Sequence, residues 1–384
     1  MPWRAAKQAR ECKLVMDVRK GIGILAMNDG RCTPGSGASG QAGVEEAALI
    51  LSGGGMRMHQ RLKLRSAFAC IFVAWLSLAA GKGIAQEYPS RPIRLIVPYG
   101  PAGGPDLMAR IVGRKLSDLA GQPVVIENRP GASGLIGTAL GAKAANDGYT
   151  ILVGDTGPLS IAPSVQKSLS YNPINDFSPI SLGTTAPLFL AVNKSLPVGD
   201  IKELVAYLKT HPGLPYGSTG NLSVHHLGME LFFSMTGVQM NHIPYKTLTQ
   251  SVPALLTSEV ALLIAAYPTL RPHVTAGTIR LLAVATRARA PFAPTVPTVA
   301  ESGVPGYEIK IDVGFLAPAG TPREIVNKLN GWIRRILAMP DVIQQLTDMG
   351  LIPVSTTPEE YAETIRADGE KFRTLIRAIG VKAE

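Results

Sequence analysis

From residue 86 onward, short apolar runs alternate with segments whose apolar residues recur every three or four positions. Ile93 to Val97, Val124 to Glu127, Thr150 to Val153, Leu188 to Val192 and Leu281 to Thr286 read as strands, as do Val260 to Ala265 and Ile309 to Val313. The segments between them read as helices. This pattern predicts an α/β fold with a mostly parallel sheet, whose ligands sit beyond the carboxyl ends of the strands.

Several helix ends are legible. Asp200 with Glu203 spells a capping box, and Ile201, Leu204, Val205 and Leu208 then form one apolar stripe. Thr321-Pro322-Arg323-Glu324 spells another, followed by Ile325, Val326, Leu329, Trp332, Ile333 and Ile336 on one face. Thr357-Pro358-Glu359-Glu360 opens the last helix in the same way. Leu188–Val192 and Ile309–Val313 are the expected crossings between two lobes.

Four loops after strands are rich in small polar residues. The first, Tyr99-Gly100-Pro101-Ala102-Gly103-Gly104-Pro105-Asp106, leads into a helix whose free N–H groups and partial positive charge suit a small anion. Asp106 reads as an N-cap or first-turn residue. The second is Gly154-Asp155-Thr156-Gly157, which puts Thr156 and Gly157 at a strand end. The third is Gly217-Ser218-Thr219-Gly220-Asn221-Leu222-Ser223 and the fourth Tyr245-Lys246-Thr247-Leu248-Thr249-Gln250. Hydroxyls and amides in such loops donate hydrogen bonds to carboxylate oxygens.

Other chemistries find less support. His225-His226 and Glu230 lack metalloprotease spacing and have no cysteine or second histidine pair near them, so a capping or core role is expected and no metal. Gly131-Ala132-Ser133-Gly134 is not a nucleophile elbow, and no P-loop is present. No catalytic set and no cofactor are expected.

The N-terminal part differs in composition from the rest. After Met58 a basic stretch (Arg61, Lys63, Arg65) precedes the apolar run Ser66 to Ala80 and the small residues Gly83-Ile84-Ala85. This is the layout of a secretory signal peptide over 58–85, too short in its apolar part to span a membrane. Residues 1–57 show no sustained period, and translation is expected to begin at Met58 or Met56. Residues 1–85 hold 12 of the 38 basic and 5 of the 28 acidic residues, leaving 26 and 23, a net charge of only +3. The basic balance of the whole chain is therefore no argument for nucleic acid. Cys12, Cys32 and Cys70 all precede residue 86, so the exported part has neither disulfide nor thiol chemistry.

A family pattern is visible in these residues. Tyr88-Pro89-Ser90-Arg91-Pro92-Ile93-Arg94, the Val97-to-Asp106 loop, Gly121 to Gly131 and Asp147-Gly148-Tyr149-Thr150 come first. Tyr216 to Gly220, His242-Ile243-Pro244-Tyr245-Lys246, Pro297 to Gly303 and Ala317 to Pro322 follow in order. From Tyr88 to the end the chain resembles the tripartite tricarboxylate transporter receptors, the Bug family of periplasmic solute-binding proteins. The resemblance implies a two-lobed, type II periplasmic-binding-protein fold with a ligand cleft between lobes: 86–188 with 314–384 as lobe 1, and 189–313 as lobe 2. It implies a monomeric periplasmic receptor, not an enzyme, that takes a small carboxylate to a permease with a large and a small subunit. The first loop is thereby matched at Tyr99, Gly100, Gly103, Gly104 and Asp106, the third at Ser218, Thr219, Asn221 and Ser223. Thr156, Gly157, Tyr245 and Thr247 complete the expected site.

Three places depart from the family pattern. Thr247-Leu248-Thr249-Gln250 replaces a Gly-Ala-Ala-Pro-like turn, alanines stand at 254, 261 and 265 where Asp is common, and Asp312-Val313 replaces a Trp-Tyr pair. They imply a ligand whose distal part is different and less polar. The alternatives are an exported sensor serving a two-component kinase and an exported hydrolase. Neighbouring genes separate the first from transport. The second requires a nucleophile, base and orienting group that the sequence does not spell.

Overall fold

A computed structural model describes residues 25–28, 31–34 and 88–380. Within residues 1–85, β1 (Leu25–Asn28) and β2 (Arg31–Pro34) pair antiparallel. Strands of only four residues are too short to register as a period in the sequence. The segment 58–85, expected to be a signal peptide, lies outside the described residues.

Residues 86–384 form a second unit. Its first strand, β3 (Ile93–Val97), is almost wholly buried and is flanked by parallel β4 (Val124–Asn128) and β5 (Thr150–Asp155). Helices α1 (Gly104–Ala120) and α2 (Leu135–Ala142) belong to these strands, and α3 (Ala162–Val165) follows a π-helical turn at Gly157–Ile161. The chain then runs through β6 (Phe177–Asn193), a single strand of 17 residues. The strands later in the chain are β7 (Pro215–Ser218), β8 (Asn241–Pro244), β9 (Leu262–Ala266), β10 (Ile279–Val284), β11 (Lys310–Pro318) and β12 (Ile352–Pro353). The order across the sheet is β4-β3-β5-β11-β6-β9-β7-β8, with β10 and β12 also on β6.

The expectation of a mostly parallel sheet holds only at its two ends. The pairs β3–β4, β3–β5, β7–β8 and β7–β9 are parallel, whereas every pairing of β6 and β11 is antiparallel. The cause is β6 itself. Residues 177–187 pair with β11, and residues 188–193 pair with β9 and β10, so one strand serves both halves of the sheet. Lys310 of β11 stands opposite Pro187 of β6.

The helices of the second half are α4 (Ile201–Thr210), α5 (Val224–Thr236), α6 (Leu248–Leu256) and α7 (Tyr267–Thr275). Then come α8 (Arg323–Leu337), α9 (Pro340–Asp348) and α10 (Pro358–Ala378). Along β6, Leu188, Leu190 and Val192 enter one apolar core with α4 and α5, while Phe189 and Ala191 enter another with α6 and β9. A strand buried on both faces must be apolar throughout, as this one is. In the first half, Leu95 and Val97 pack with α1 and α8, and Ile96 packs on the opposite face. Helix α10 contributes to two cores: Tyr361 and Ile365 to that opposite face, Phe372, Leu375 and Ile376 to the core containing Leu188.

The caps follow the sequence in two cases of three. Asp200 accepts the Glu203 amide at 2.8 Å, and the Thr357 box is closed in both directions. The box expected at Thr321 does not form. Helix α8 begins one residue later, which moves Glu324 out of the third helical position, and the Thr321 hydroxyl donates to Pro318 O at 2.7 Å.

Candidate functional site

The four loops lie at the carboxyl ends of β3, β5, β7 and β8. Parallel neighbours bring such ends to the same edge of a sheet. The first and second loops touch each other, and so do the third and fourth.

In the first loop, β3 ends at Val97, and α1 starts after Gly103 with Pro105 in its first turn. Asp106 is in that first turn and only 1 % exposed. Its carboxylate accepts the Ala102 amide at 2.9 Å, Asn128 Nδ2 at 2.8 Å, and two bonds from the Arg110 guanidinium at 2.8 and 3.0 Å. Burial opposes ionisation, but the Arg110, Asn128 and Ala102 donors outweigh it and hold the carboxyl below its usual range. Asp106 is thus committed to the protein. It pins a loop in which Ala102 takes a left-handed conformation (φ 67°), and Asn128 reinforces it by donating to Tyr99 O at 3.0 Å. Gly100 and Gly104 have nothing within 4 Å of where a Cβ would stand, and Gly103 has only ordinary contacts. The glycines leave open room above a helix N-terminus, whose first amides have no intrahelical acceptor.

The Tyr99 hydroxyl reaches Ser133 O at 3.4 Å and lies against the Asp155 carboxyl of the second loop. Asp155 is buried, and burial pushes its pKa up to about 6 against the opposing help of Tyr99 and the Gly157 amide, which donates at 3.0 Å. Thr156 faces elsewhere: its hydroxyl oxygen accepts the Asp312 amide of β11 at 2.9 Å. Asp312, also buried, accepts from Thr185 at 2.5 Å and forms an ion pair with Lys310 at 2.7 Å, and burial raises its pKa in spite of them. Between Asp155, Asp312 and Tyr361 lies a cavity of about 10 Å³, and the buried Tyr361 hydroxyl has no partner.

The third loop is a closed polar network. Ser218, 1 % exposed, accepts the Gly220 amide at 3.1 Å, reaches Gly220 O at 3.1 Å, and lies 2.6 Å from His242 Nε2. Ser223 caps α5 by accepting the His226 amide at 3.2 Å and donates to Gly220 O at 2.8 Å. Leu222, at φ 59°, donates its amide to His226 Nδ1 at 2.9 Å. The His226 ring stacks on His242 with centroids 4.0 Å apart, and Tyr216 lies against both rings, 5.0 Å from His242 and 6.4 Å from His226. Glu230 takes the Tyr216 hydroxyl at 2.7 Å and sits 3.6 Å from His226. The His226 contact, then Tyr216, holds the Glu230 carboxyl low in spite of burial. Burial, then His226, pulls His242 down to about 4. Thr219 Oγ1 is 2.8 Å from Nδ1 of His225, whose Nε2 is buried with no partner and whose pKa burial lowers to about 4. Asn221 is exposed.

In the fourth loop the Tyr245 amide donates to Ser218 O at 3.1 Å and its hydroxyl to Glu259 at 2.8 Å. Thr247 precedes α6 and shares a 2.7 Å bond with Thr249. The structure therefore joins Tyr99 with Gly157, and Ser218, Thr219 and Ser223 with Tyr245. Among the described residues no hydrogen bond links the first group to the second.

Sequence reasoning missed Asn128, His242 and the bond between Thr219 and His225. His242 was legible only as part of its motif. Ser218 and His242 lie at the distance of a nucleophile and base, yet the serine is buried and Glu230 contacts His226 rather than His242, so no third group orients the base. The departures at 254 and 265 read differently in three dimensions. Both alanines lie inside the core beneath Phe189, so they line no cleft. Asp312 instead brings a carboxyl where the family pattern has an aromatic.

Comparison with known proteins matches this arrangement to one family. The model described as the tripartite tricarboxylate transporter family receptor matches residues 108–381. The protein BugT of Bordetella pertussis is 37 % identical over 314 residues, covering 81 % of this chain and 96 % of that protein. The structure of Rhodopseudomonas palustris Rpa4515 with adipate superposes with a TM-score of 0.68 at 35 % identity, over 78 % of this chain and all of that one. MatC of the same organism, solved with malate, gives 0.64 at 30 % identity, over 75 % of this chain and all of that one. The mixed sheet with its shared central strand is the two-lobed fold of periplasmic solute-binding proteins. The chain belongs to the tripartite tricarboxylate transporter receptor family.

Proposed function

We propose that this chain is an exported periplasmic receptor, not an enzyme, that closes on a small carboxylate and hands it to a permease with a large and a small membrane subunit. Residues 86–188 with 314–384 form one lobe, 189–313 form the other, and the receptor works as a monomer. The ligand bridges the lobes and favours the closed state through its greater affinity for it. One carboxyl group is held by amides and hydroxyls of the loops at Tyr99–Gly104, Ser218–Ser223 and Tyr245–Thr247, the Thr156 hydroxyl and Gly157 amide being engaged by Asp312 and Asp155.

The observation that carries this reading is the open space over Gly100 and Gly104 at the start of α1, in a loop held rigid by Asp106. A helix start with free amides and no side chain over it is built for an anion. Relatives solved with adipate and malate support the same ligand class. The buried Ser218 favours a receptor over a hydrolase, since an inaccessible hydroxyl attacks nothing.

The reading is tested by calorimetric titration of the purified chain with adipate, malate, a monocarboxylate of equal length, and the diamine of equal length. Binding of at least one carboxylate and no binding of the diamine is expected. Saturable binding of the diamine alone rules the reading out.

A further inference from the structure

We infer that His225 is a positioning residue that fixes Thr219 as a hydrogen-bond donor, making the third loop selective for an ionised carboxyl oxygen over the nitrogen of an amide. The inference rests on the carboxylate reading above and identifies which group in that loop addresses the ligand.

The third loop holds few hydroxyl hydrogens. Ser218, Thr219 and Ser223 supply three. The Gly220 carbonyl lies within reach of two of them, at 3.1 Å from Ser218 Oγ and 2.8 Å from Ser223 Oγ. The other acceptor within reach of the Ser218 hydrogen is His242 Nε2, again within the protein. Both serine hydrogens are therefore spent internally, and the loop has one hydroxyl hydrogen left to offer, that of Thr219.

The direction of that hydrogen depends on His225. The ring is 7 % exposed and burial keeps it neutral, so it carries one N–H. Nδ1 faces Thr219 Oγ1 at 2.8 Å, and Nε2 faces no partner. Were the hydrogen on Nε2, it would be a buried donor with no acceptor, a situation that folded proteins avoid more strictly than an unsatisfied acceptor. With the hydrogen on Nδ1, the bond to Thr219 runs from histidine to threonine. The Thr219 Oγ1–H must then turn to the half-exposed side of the loop. It meets the ligand as a donor. A carboxylate satisfies it with either oxygen, whereas an amide does so only when its carbonyl oxygen, and not its NH₂, faces Thr219.

Two measurements test this. In the wild-type protein labelled with ¹⁵N-histidine, long-range ¹H–¹⁵N correlation reads the tautomer, the His225 signal being assigned by its loss in His225→Asn. A pyrrole-like Nδ1 and a pyridine-like Nε2 are expected, and the reverse overturns the inference whatever any variant does. Calorimetry then compares adipate with its monoamide. Thr219→Val is expected to weaken adipate by about 10-fold while Thr219→Ser keeps it, the scale of one hydrogen bond to a charged group. His225→Phe is expected to narrow the preference for adipate over the monoamide by about 3- to 10-fold. His225→Asn, which can place an amide N–H where Nδ1 stands, is expected to restore it. Equal preference in wild type, His225→Phe and His225→Asn overturns the positioning role and leaves the receptor reading intact. A wild-type protein that binds no carboxylate overturns both.

Discussion

Asp155 gives the sharpest test of the electrostatics. The carboxyl is buried at the end of β5, and its pKa rises from 3.8 to about 6 because burial outweighs the Tyr99 and Gly157 donors. A carboxyl whose native pKa lies above its unfolded one contributes stability that is complete below the unfolded value and lost as pH rises through the native value. Between pH 4 and 6 the native chain therefore holds more of this proton than the unfolded chain, and stability falls with pH there. The rise corresponds to about 3 kcal/mol between the two ends of that window. Asp155→Asn keeps a neutral group of the same shape at every pH. Its oxygen can accept the Gly157 amide, and the Tyr99 hydroxyl can accept from its NH₂. We expect the variant to match wild type near pH 3.5 and to be more stable by up to about 3 kcal/mol at pH 7.5. Urea unfolding of both proteins at four or five pH values between 3.5 and 7.5 yields the difference directly, with other titrating groups cancelling. A difference that does not change with pH, or a variant that loses ground as pH rises, refutes the assigned burial and its sign.

Three further outcomes follow from packing and hydrogen bonding. Gly103→Val should leave the melting temperature within a few degrees of wild type, since its Cβ meets only ordinary contacts, yet weaken adipate by more than about 10-fold as the side chain fills the anion space. An unchanged affinity in calorimetry would move the anion elsewhere. Asp106→Ala should cost about 2–3 kcal/mol in urea unfolding by freeing the Ala102 and Asn128 donors, with adipate binding weakened as well; a loss under 0.5 kcal/mol would mean the loop holds itself. Gly137→Ala should destabilise by about 1–3 kcal/mol, because the added carbon would stand 2.6 Å from Arg129 O and from the Pro98 backbone. A melting curve indistinguishable from wild type would contradict that close approach.

The elements easiest to read in the sequence were those whose signal is local. Ile93–Val97 appears as a strand with the same ends in both, and the Thr357 box closes as spelled. The long strand β6 was read only over 188–192. Its first half, with Ser178, Ser181, Thr184 and Thr185, does not look apolar, yet Ser181, Thr184 and Thr185 are buried there because their hydroxyls find partners such as Thr356 O, Met108 Sδ and Asp312. Strands β7 and β8 have four residues each and carry no period at all. At the site, the loops were legible because glycine, serine and threonine cluster after strands. Which hydroxyls are spent inside the protein was not, since Ser218 meets its partner 24 residues away in β8. Asp106 was legible as a first-turn residue, but its bond to Asn128 across 22 residues was not.

The terminal helix has a mechanical consequence. Its first turns are anchored by Tyr361 and Ile365 and its last turns by Phe372, Leu375 and Ile376, in cores that belong to different halves of the sheet. In the closure proposed above, a helix fastened in both cores bends between its two anchors. Gly369 lies there, with open space around it, and glycine is the residue that gives a helix least stiffness. A receptor that closes as proposed therefore flexes its last helix at Gly369 and not at either anchor.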